Sequence, residues 1–366
     1  MRAVAFIVGL LLVLAILWDT FETIILPRRV TRRIKLTSLF YSSAWIPWSN
    51  IGKSIHNERR REKYLGLFGP LSLFFLLGLW AFVLILGYAL LYWATNPVLL
   101  APHDNVGFPT YLYLSGVTFF TLGYGDVVPI LPPGRGLAVF ETANGFGLFA
   151  VVISYLPVLY QSFSRREANI SLLDARAGSP TSAVELLRRH RAEDSYDELN
   201  RLLSDWEHAS AELLESHLSY PVLCYFRSQH DNQSWLRAVT TVLDTCALVV
   251  VGVKNAPVWQ ARMTFAITRH AVVDIAQVFR TSPREPGSCD WRLTAAEFAR
   301  MRQILSENGV ALPEADDVEA RLGELRAMYE PYVYALSELL MMPLPPWILP
   351  EDAIDNWKTS AWGRIQ

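Results

Sequence analysis

The chain has 366 residues, 52% of them hydrophobic, and a mean hydropathy of +0.21. That average is too apolar for an ordinary soluble protein and points to membrane segments in part of the chain. The formal net charge of −2 carries no nucleic-acid signal, because the basic residues of the first half are accounted for by a membrane, and no nucleic-acid partner is expected.

The apolar run from Ala3 to Trp18 ends in Asp19 and Glu22, ahead of Pro27 and a basic cluster. Only Arg2 precedes it, and no small-x-small cleavage site follows. The run therefore reads as a retained membrane helix over 1–26 and not as a secretory signal. Asp19 and Glu22 share one helical face and are expected to pair with nearby arginines, with coupling of this helix to a gate as the alternative. The basic linker 27–66 contains an aromatic stretch, 36–50, that reads as an amphipathic linker, with an interfacial segment as the alternative.

From Leu67 to Pro102 no residue is charged, and from Gly136 to Phe163 only Glu141 is. Each run exceeds the about 20 residues that cross hydrocarbon. They define an outer helix over 67–95, with Tyr88, Tyr92 and Trp93 at its outer end, and an inner helix over 136–163. Between them lies a Pro- and Gly-rich stretch with a short apolar segment, too short to span. Pro109 is placed to open a re-entrant helix over 109–120. Non-helical backbone at this depth is tolerated only inside protein or beside water, which implies a pore.

Orientation follows the distribution of basic residues. Arg28, Arg29, Arg32, Arg33, Lys35, Lys53, Arg59, Arg60, Arg61 and Lys63 crowd the first connection, whereas Arg135 is the only Lys or Arg of 96–135. Arg165 and Arg166 follow the last span. The N-terminus is thus expected outside, and the half beyond residue 164 in the cytoplasm, in a multi-pass protein of the cell inner (plasma) membrane.

The connection carries Thr121-Leu122-Gly123-Tyr124-Gly125-Asp126. A stack of backbone carbonyls can replace the hydration shell of potassium. Aiming successive carbonyls at one axis requires alternating backbone conformations, and glycine supplies those that other residues resist. Gly123 and Gly125 are therefore expected at positive φ, Thr121 as a further ligand at the inner mouth, and Tyr124 as a brace behind the loop. With Leu122 where Val or Ile is usual, this string resembles the signature of the potassium-channel superfamily, specifically prokaryotic subunits with two core spans and one pore loop. The resemblance is strong over about 105–160. It implies an all-α pore domain, permeant potassium as the bound ion, no organic cofactor, and a homotetramer, since one loop per chain needs three identical partners.

The family often pairs the filter aspartate with a glutamate four residues before the filter threonine, where this chain has Val117. Tyr113 stands where tryptophan is common, and its hydroxyl is expected to hold Asp126. The family's hinge position falls on Gly145, which reads equally as a close-packing glycine. Pro157 removes a hydrogen bond to Ile153 and is expected to kink the inner helix, shaping the gate or marking the helix end. Glu141, the sole ionisable residue of that helix, is a functional candidate, or else a neutral group or one satisfied behind the filter. No span carries a basic residue at every third position, so no voltage sensor is expected.

Residues 165–366 read as a helical cytoplasmic domain, with helices over 181–191, 196–217, 235–251, 258–280, 294–307 and 318–342; Leu248–Gly252 is also open as a short strand. No nucleotide-binding fingerprint, phosphate loop or nucleophile motif occurs, so the chain is not expected to be an enzyme. His208 and Glu212, four apart with Glu215 and His217 nearby, form a divalent-metal candidate against the reading of a solvated face. The segment 225–235, which contains His230-Asp231-Asn232, reads as a helix cap, with a ligand loop as the alternative. Cys224, Cys246 and Cys289 lack metal-ligand spacing and are expected as buried reduced thiols. The function expected is a potassium channel gated through this domain by an unknown cytoplasmic ligand or protein. The alternatives are a constitutive channel whose domain only assembles it, or a pore serving a signalling or enzymatic domain.

Overall fold

The computed structural model describes residues 1–26, 36–101, 106–191, 196–230, 232–284, 292–313 and 317–350. It is all-α apart from one pair of two-residue strands, and it divides into two units, residues 1–51 with 67–160 and residues 52–66 with 161–366. Three of its helices are long and apolar enough to cross a membrane.

In the first unit, α1 (Arg2–Thr20) runs into one π-helical turn, Phe21–Ile25, and packs along α4 (Phe68–Thr95). Lipid offers no hydrophobic drive for such packing, so close backbone approach must supply it. A Cβ at Gly9 would lie 2.7 Å from the Gly87 carbonyl oxygen, and one at Gly87 would lie 2.9 Å from Val13 Cγ2. At the far end, Asp19 is buried and accepts from Trp80 Nε1 at 3.0 Å and from the Thr37 hydroxyl at 2.7 Å. Glu22 accepts from Trp18 Nε1 at 2.7 Å. Among the described residues, indole and hydroxyl donors meet these two carboxyl groups; the pairing expected with nearby arginines falls on the basic residues 28–35, which lie outside the described residues.

The aromatic stretch forms α2 (Leu36–Ser54), helical through Pro47. Trp45 packs edge-on against Phe68, 4.8 Å between ring centroids. An apolar groove of about 550 Å³ runs between α2 and α4, lined by Phe40, Trp48, Phe75 and Phe82 among others. Asn96 closes α4 in the left-handed conformation (φ 45°), its N–H bonded to the Tyr92 carbonyl at 2.9 Å. Strand β1 (Leu99–Leu100) then pairs antiparallel with β2 (Val128–Pro129), joining the two ends of the connection that contains α5 (Phe108–Phe119). The sequence reading missed this short ladder, because two residues carry no periodic pattern.

Helix α6 (Pro132–Ala177) is continuous through Gly145 and Pro157, starting before and ending well beyond the 136–163 read from hydropathy. Hydropathy falls at Ser164, but the helix continues because Ile170, Leu173 and Ala177 bury a second stripe at helical spacing in the second unit.

The second unit begins with α3 (Glu58–Gly66) and continues from the end of α6 through α7 (Ala183–Arg189), α8 (Asp197–Ser219), a 3₁₀ turn (Pro221–Tyr225), α9 (Trp235–Val251), α10 (Val258–Val278), α11 (Ala295–Glu307), α12 (Val318–Ala327) and α13 (Glu330–Leu340). Helix α9 is buried on nearly every face. That explains why Leu248–Gly252 lacked an amphipathic pattern; residues 248–251 are helical. The single helix expected over 318–342 is two, because Pro331 in the first turn of α13 has no N–H to continue the helix from α12. Ser234 caps α9 by accepting from the Arg237 N–H at 3.1 Å, so the cap lies within the 225–235 segment, two residues beyond Asn232; Asp231 is outside the described residues.

Cys224 and Cys246 are buried free thiols, and burial pushes both up from the usual thiol range. Cys289 lies outside the described residues.

Against α9 sits a buried charge cluster. Arg292 donates to both Asp244 oxygens at 2.8 and 2.7 Å and to Glu330 at 3.1 Å. Arg326 donates to Glu330 at 3.1 Å, and the Tyr329 hydroxyl to Asp244 at 2.5 Å. Two guanidinium groups meet two carboxylates, which removes the net charge that would make such burial prohibitive.

Candidate functional site

Helix α5 begins after Gly107 with Pro109 in its first turn and ends where the chain turns into the Thr-Leu-Gly-Tyr-Gly-Asp string. The carbonyl of Val117 accepts from the Leu122 N–H at 2.8 Å and from the Gly123 N–H at 3.4 Å, and the Thr118 carbonyl from the Thr121 N–H at 3.0 Å. The last turn of the helix therefore anchors the first residues of the non-helical segment.

Along that segment the sign of φ alternates. Thr121, Gly123 and Gly125 have φ of 56°, 57° and 77°, and the residues between them are not positive. The two glycines occupy the conformation expected of them. Thr121 does so at a cost of about 1–2 kcal/mol, and nothing in its residue type announced it. Strain of this kind persists only where the surroundings impose it. Residues 121–126 are exposed in the single chain, Tyr124 by 70%.

Around the segment, the Tyr113 hydroxyl donates to Asp126 Oδ2 at 2.9 Å, the pairing expected in place of the missing glutamate. At the other end, Ile130 N–H bonds to the Val98 carbonyl at 2.9 Å, extending the β1–β2 contact. The chain ends that flank the 121–126 segment are thus tied together twice.

Gly145 faces this site through contact. A Cβ there would fall 2.2 Å from the Phe119 carbonyl oxygen, so α6 and α5 meet at a distance that excludes any side chain. The geometry favours the close-packing reading of Gly145. One turn earlier on α6, Glu141 is fully buried, accepting from the Tyr92 hydroxyl at 2.9 Å and bonded to the Ser115 hydroxyl. Asn144 bonds to the Tyr88 hydroxyl. Pro157 is exposed within the helix.

The sequence reading treated Arg166 only as a charge that sets topology. It is buried in the second unit and donates to the Leu223 and Phe226 carbonyls, each at 2.8 Å, and to Glu167 at 3.0 Å. Arg227 donates to Glu62 at 2.7 Å and to the terminal carbonyls of α13, Leu340 at 2.5 Å and Met341 at 3.1 Å. Burial holds Arg227 below the usual guanidinium range, partly offset by Glu62. One short segment, 223–227, therefore grips both α3, through Glu62, and α6, through Arg166. Two buried arginines have no sequence periodicity that would flag them.

The His217 ring lies tilted against Trp235, 5.3 Å between centroids, with Nδ1 on the Leu213 carbonyl at 2.9 Å and Nε2 at 3.2 Å from Arg166. Burial, followed by the Arg166 charge, holds its pKa well below the ordinary histidine value. It is therefore removed from the metal candidate. His208 pairs with the Ser204 carbonyl at 3.0 Å, and Glu215 accepts from Ser219 at 3.3 Å. Among the described residues no group of three or more metal-binding side chains is assembled, so His208 and Glu212 are left without further ligands.

Residues 75–161 match the family described as ion channel. The uncharacterized membrane protein YdjJ of Bacillus subtilis (strain 168) is 24% identical over 215 residues, 58% of this chain. The match spans 60% of that protein's length, and no solved structure matches. Residues 75–161 thus resemble the ion-channel family, within a chain that resembles a membrane protein.

Proposed function

We propose that the chain is one subunit of a homotetrameric, potassium-selective channel of the plasma membrane, with its N-terminus outside and the second unit in the cytoplasm. The observation that carries this reading is the φ alternation at Thr121, Gly123 and Gly125, set at the C-terminal end of a helix too short to span. A backbone of alternating hand suits carbonyls directed to one axis, where they replace the hydration shell of potassium. The negative end of the α5 dipole favours a cation at the same place.

Exposure of the segment supports assembly. Irregular backbone at membrane depth must be covered by protein or line water, and a closed fourfold ring of such loops does both. Three identical subunits and membrane lipid are the partners this reading requires, and potassium is the permeant ligand at Thr121, Leu122, Gly123, Tyr124 and Gly125, with Tyr113 and Asp126 in support.

Gating is assigned to the second unit. The segment 223–227 bonds both to α6, through Arg166, and to α3, which directly precedes the outer helix. A signal that repositions it acts on the two helices that frame the inner mouth. Reconstitution of the full chain in liposomes tests the reading. A reversal potential following the potassium gradient is expected; equal sodium permeation would remove the selectivity, and absence of flux would overturn the channel.

A further inference from the structure

Helices α6 and α5 meet on two successive rungs, Glu141 with Ser115 and Gly145 with Phe119. Each pair is one helical turn from the next, so the rungs fix the register of the pore helix against the inner helix. Phe119 lies two residues before Thr121, which places whatever holds this register directly behind the filter.

The hydrogen-bond inventory at the upper rung is restrictive. The Ser115 hydroxyl has one proton, yet it faces two acceptors, the Ile85 carbonyl at 2.8 Å and a Glu141 oxygen. The Tyr92 hydroxyl spends its proton on the other Glu141 oxygen at 2.9 Å. With an ionised carboxylate, three contacts share two protons, and one buried contact sets two lone pairs against each other. With a carboxylic acid, each contact has its own proton. Glu141 then donates to Ser115 Oγ, Ser115 donates to the Ile85 carbonyl, and Tyr92 donates to Glu141. No Lys, Arg or His among the described residues pairs with Glu141, and an unpaired charge in hydrocarbon is costly.

We propose that Glu141 is a neutral, proton-donating positioning residue that bolts the pore helix α5 to α6 and α4 and thereby sets the geometry of the filter. It spans three helices: α6 through its own backbone, α5 through Ser115, and α4 through Tyr92 and, by way of Ser115, Ile85. The titratable groups facing it are Tyr92 and Tyr88, both on α4, and both are neutral at ordinary pH. The assignment rests on the channel reading for its functional readout, not for its geometry.

Glu141→Gln, Glu141→Leu and Ser115→Ala, each in the full chain in liposomes, provide the test. A carboxamide keeps one donor for Ser115 and one acceptor for Tyr92, so Glu141→Gln is expected to retain the parent's potassium over sodium permeability ratio and its pH profile. Glu141→Leu keeps the bulk and loses both bonds. It is expected to lower that ratio about tenfold, the equivalent of about 1.4 kcal/mol of lost positioning, and Ser115→Ala by a smaller factor. Loss of selectivity in Glu141→Gln would show that a charge is required and overturn the proposal, as would an unchanged ratio in Glu141→Leu. If the parent conducts nothing, the channel reading fails separately. Amide exchange of α5 then decides: protection kept by Gln and lost in Leu supports the bolt, and equal protection in the two overturns it.

Discussion

The two units solve the problem of holding helices together by different means. In the first, α1 meets α4 and α6 meets α5 through glycine contacts at Gly9, Gly87 and Gly145. Buried carboxyl groups there, Asp19 and Glu141, are bonded to uncharged partners, Trp80, Thr37, Tyr92 and Ser115. In the second, α9 is enclosed by apolar side chains and its buried carboxylate Asp244 is matched by a guanidinium. The contrast follows from solvent. Lipid is as apolar as leucine, so close contact and sparse polar bonds must associate helices; water drives apolar burial, and a core so formed can shelter a paired charge.

Asp244→Ala should break the comparison most sharply. It leaves Arg292 with one carboxylate among two guanidinium groups, at a cost of about 3–5 kcal/mol. Amide exchange of α9 is expected to lose protection by that amount while α4 is unchanged; an unaffected α9 would mean that the cluster is not a unit of stability.

Asp19→Ala should act in the other unit and less strongly. The Trp80 indole and Thr37 hydroxyl lose their acceptor, which costs about 1–3 kcal/mol, read as faster exchange in α1 with α9 unaltered. Loosening of both units together would contradict their separate construction.

His217 supplies the smallest effect and a pH signature. Its folded form is neutral, held so by burial and by Arg166, while the unfolded chain titrates near 6.5. Below that pH the unfolded state binds the additional proton. Stability is therefore full above about 6.5 and falls with pH below it, by about 1.4 kcal/mol per unit for one such group. His190, also shifted down by burial, contributes in the same direction, so the measurement is the difference between the parent and His217→Gln in thermal unfolding at pH 7.5 and 5.5. The parent should lose more than the variant.

Much of the first unit was legible in the sequence because hydrocarbon imposes a length and a composition on anything that crosses it. The outer helix read as 67–95 is Phe68–Thr95, and the re-entrant helix read as 109–120 is Phe108–Phe119. Positive φ at Gly123 and Gly125 followed from the Thr-Leu-Gly-Tyr-Gly-Asp string, and the Tyr113–Asp126 bond from the presence of Val117 in place of a glutamate. The end of α6 was not legible, since hydropathy reports the limit of the lipid and not of the helix. Nor was the break between α12 and α13, where Pro331 looked like a tolerated interruption of one apolar pattern.

By itself, the sequence determined the spans, the short helix between them and the left-handed glycines, because membrane thickness and backbone sterics act on local residues. The partners of its buried polar groups were decided only by tertiary structure. Asp19 finds Trp80, Glu141 finds Ser115 and Tyr92, and Arg166 finds the carbonyls of Leu223 and Phe226. A buried charge or proton must be satisfied by whichever group the fold brings near, and those groups lie far along the chain, beyond any local spacing rule.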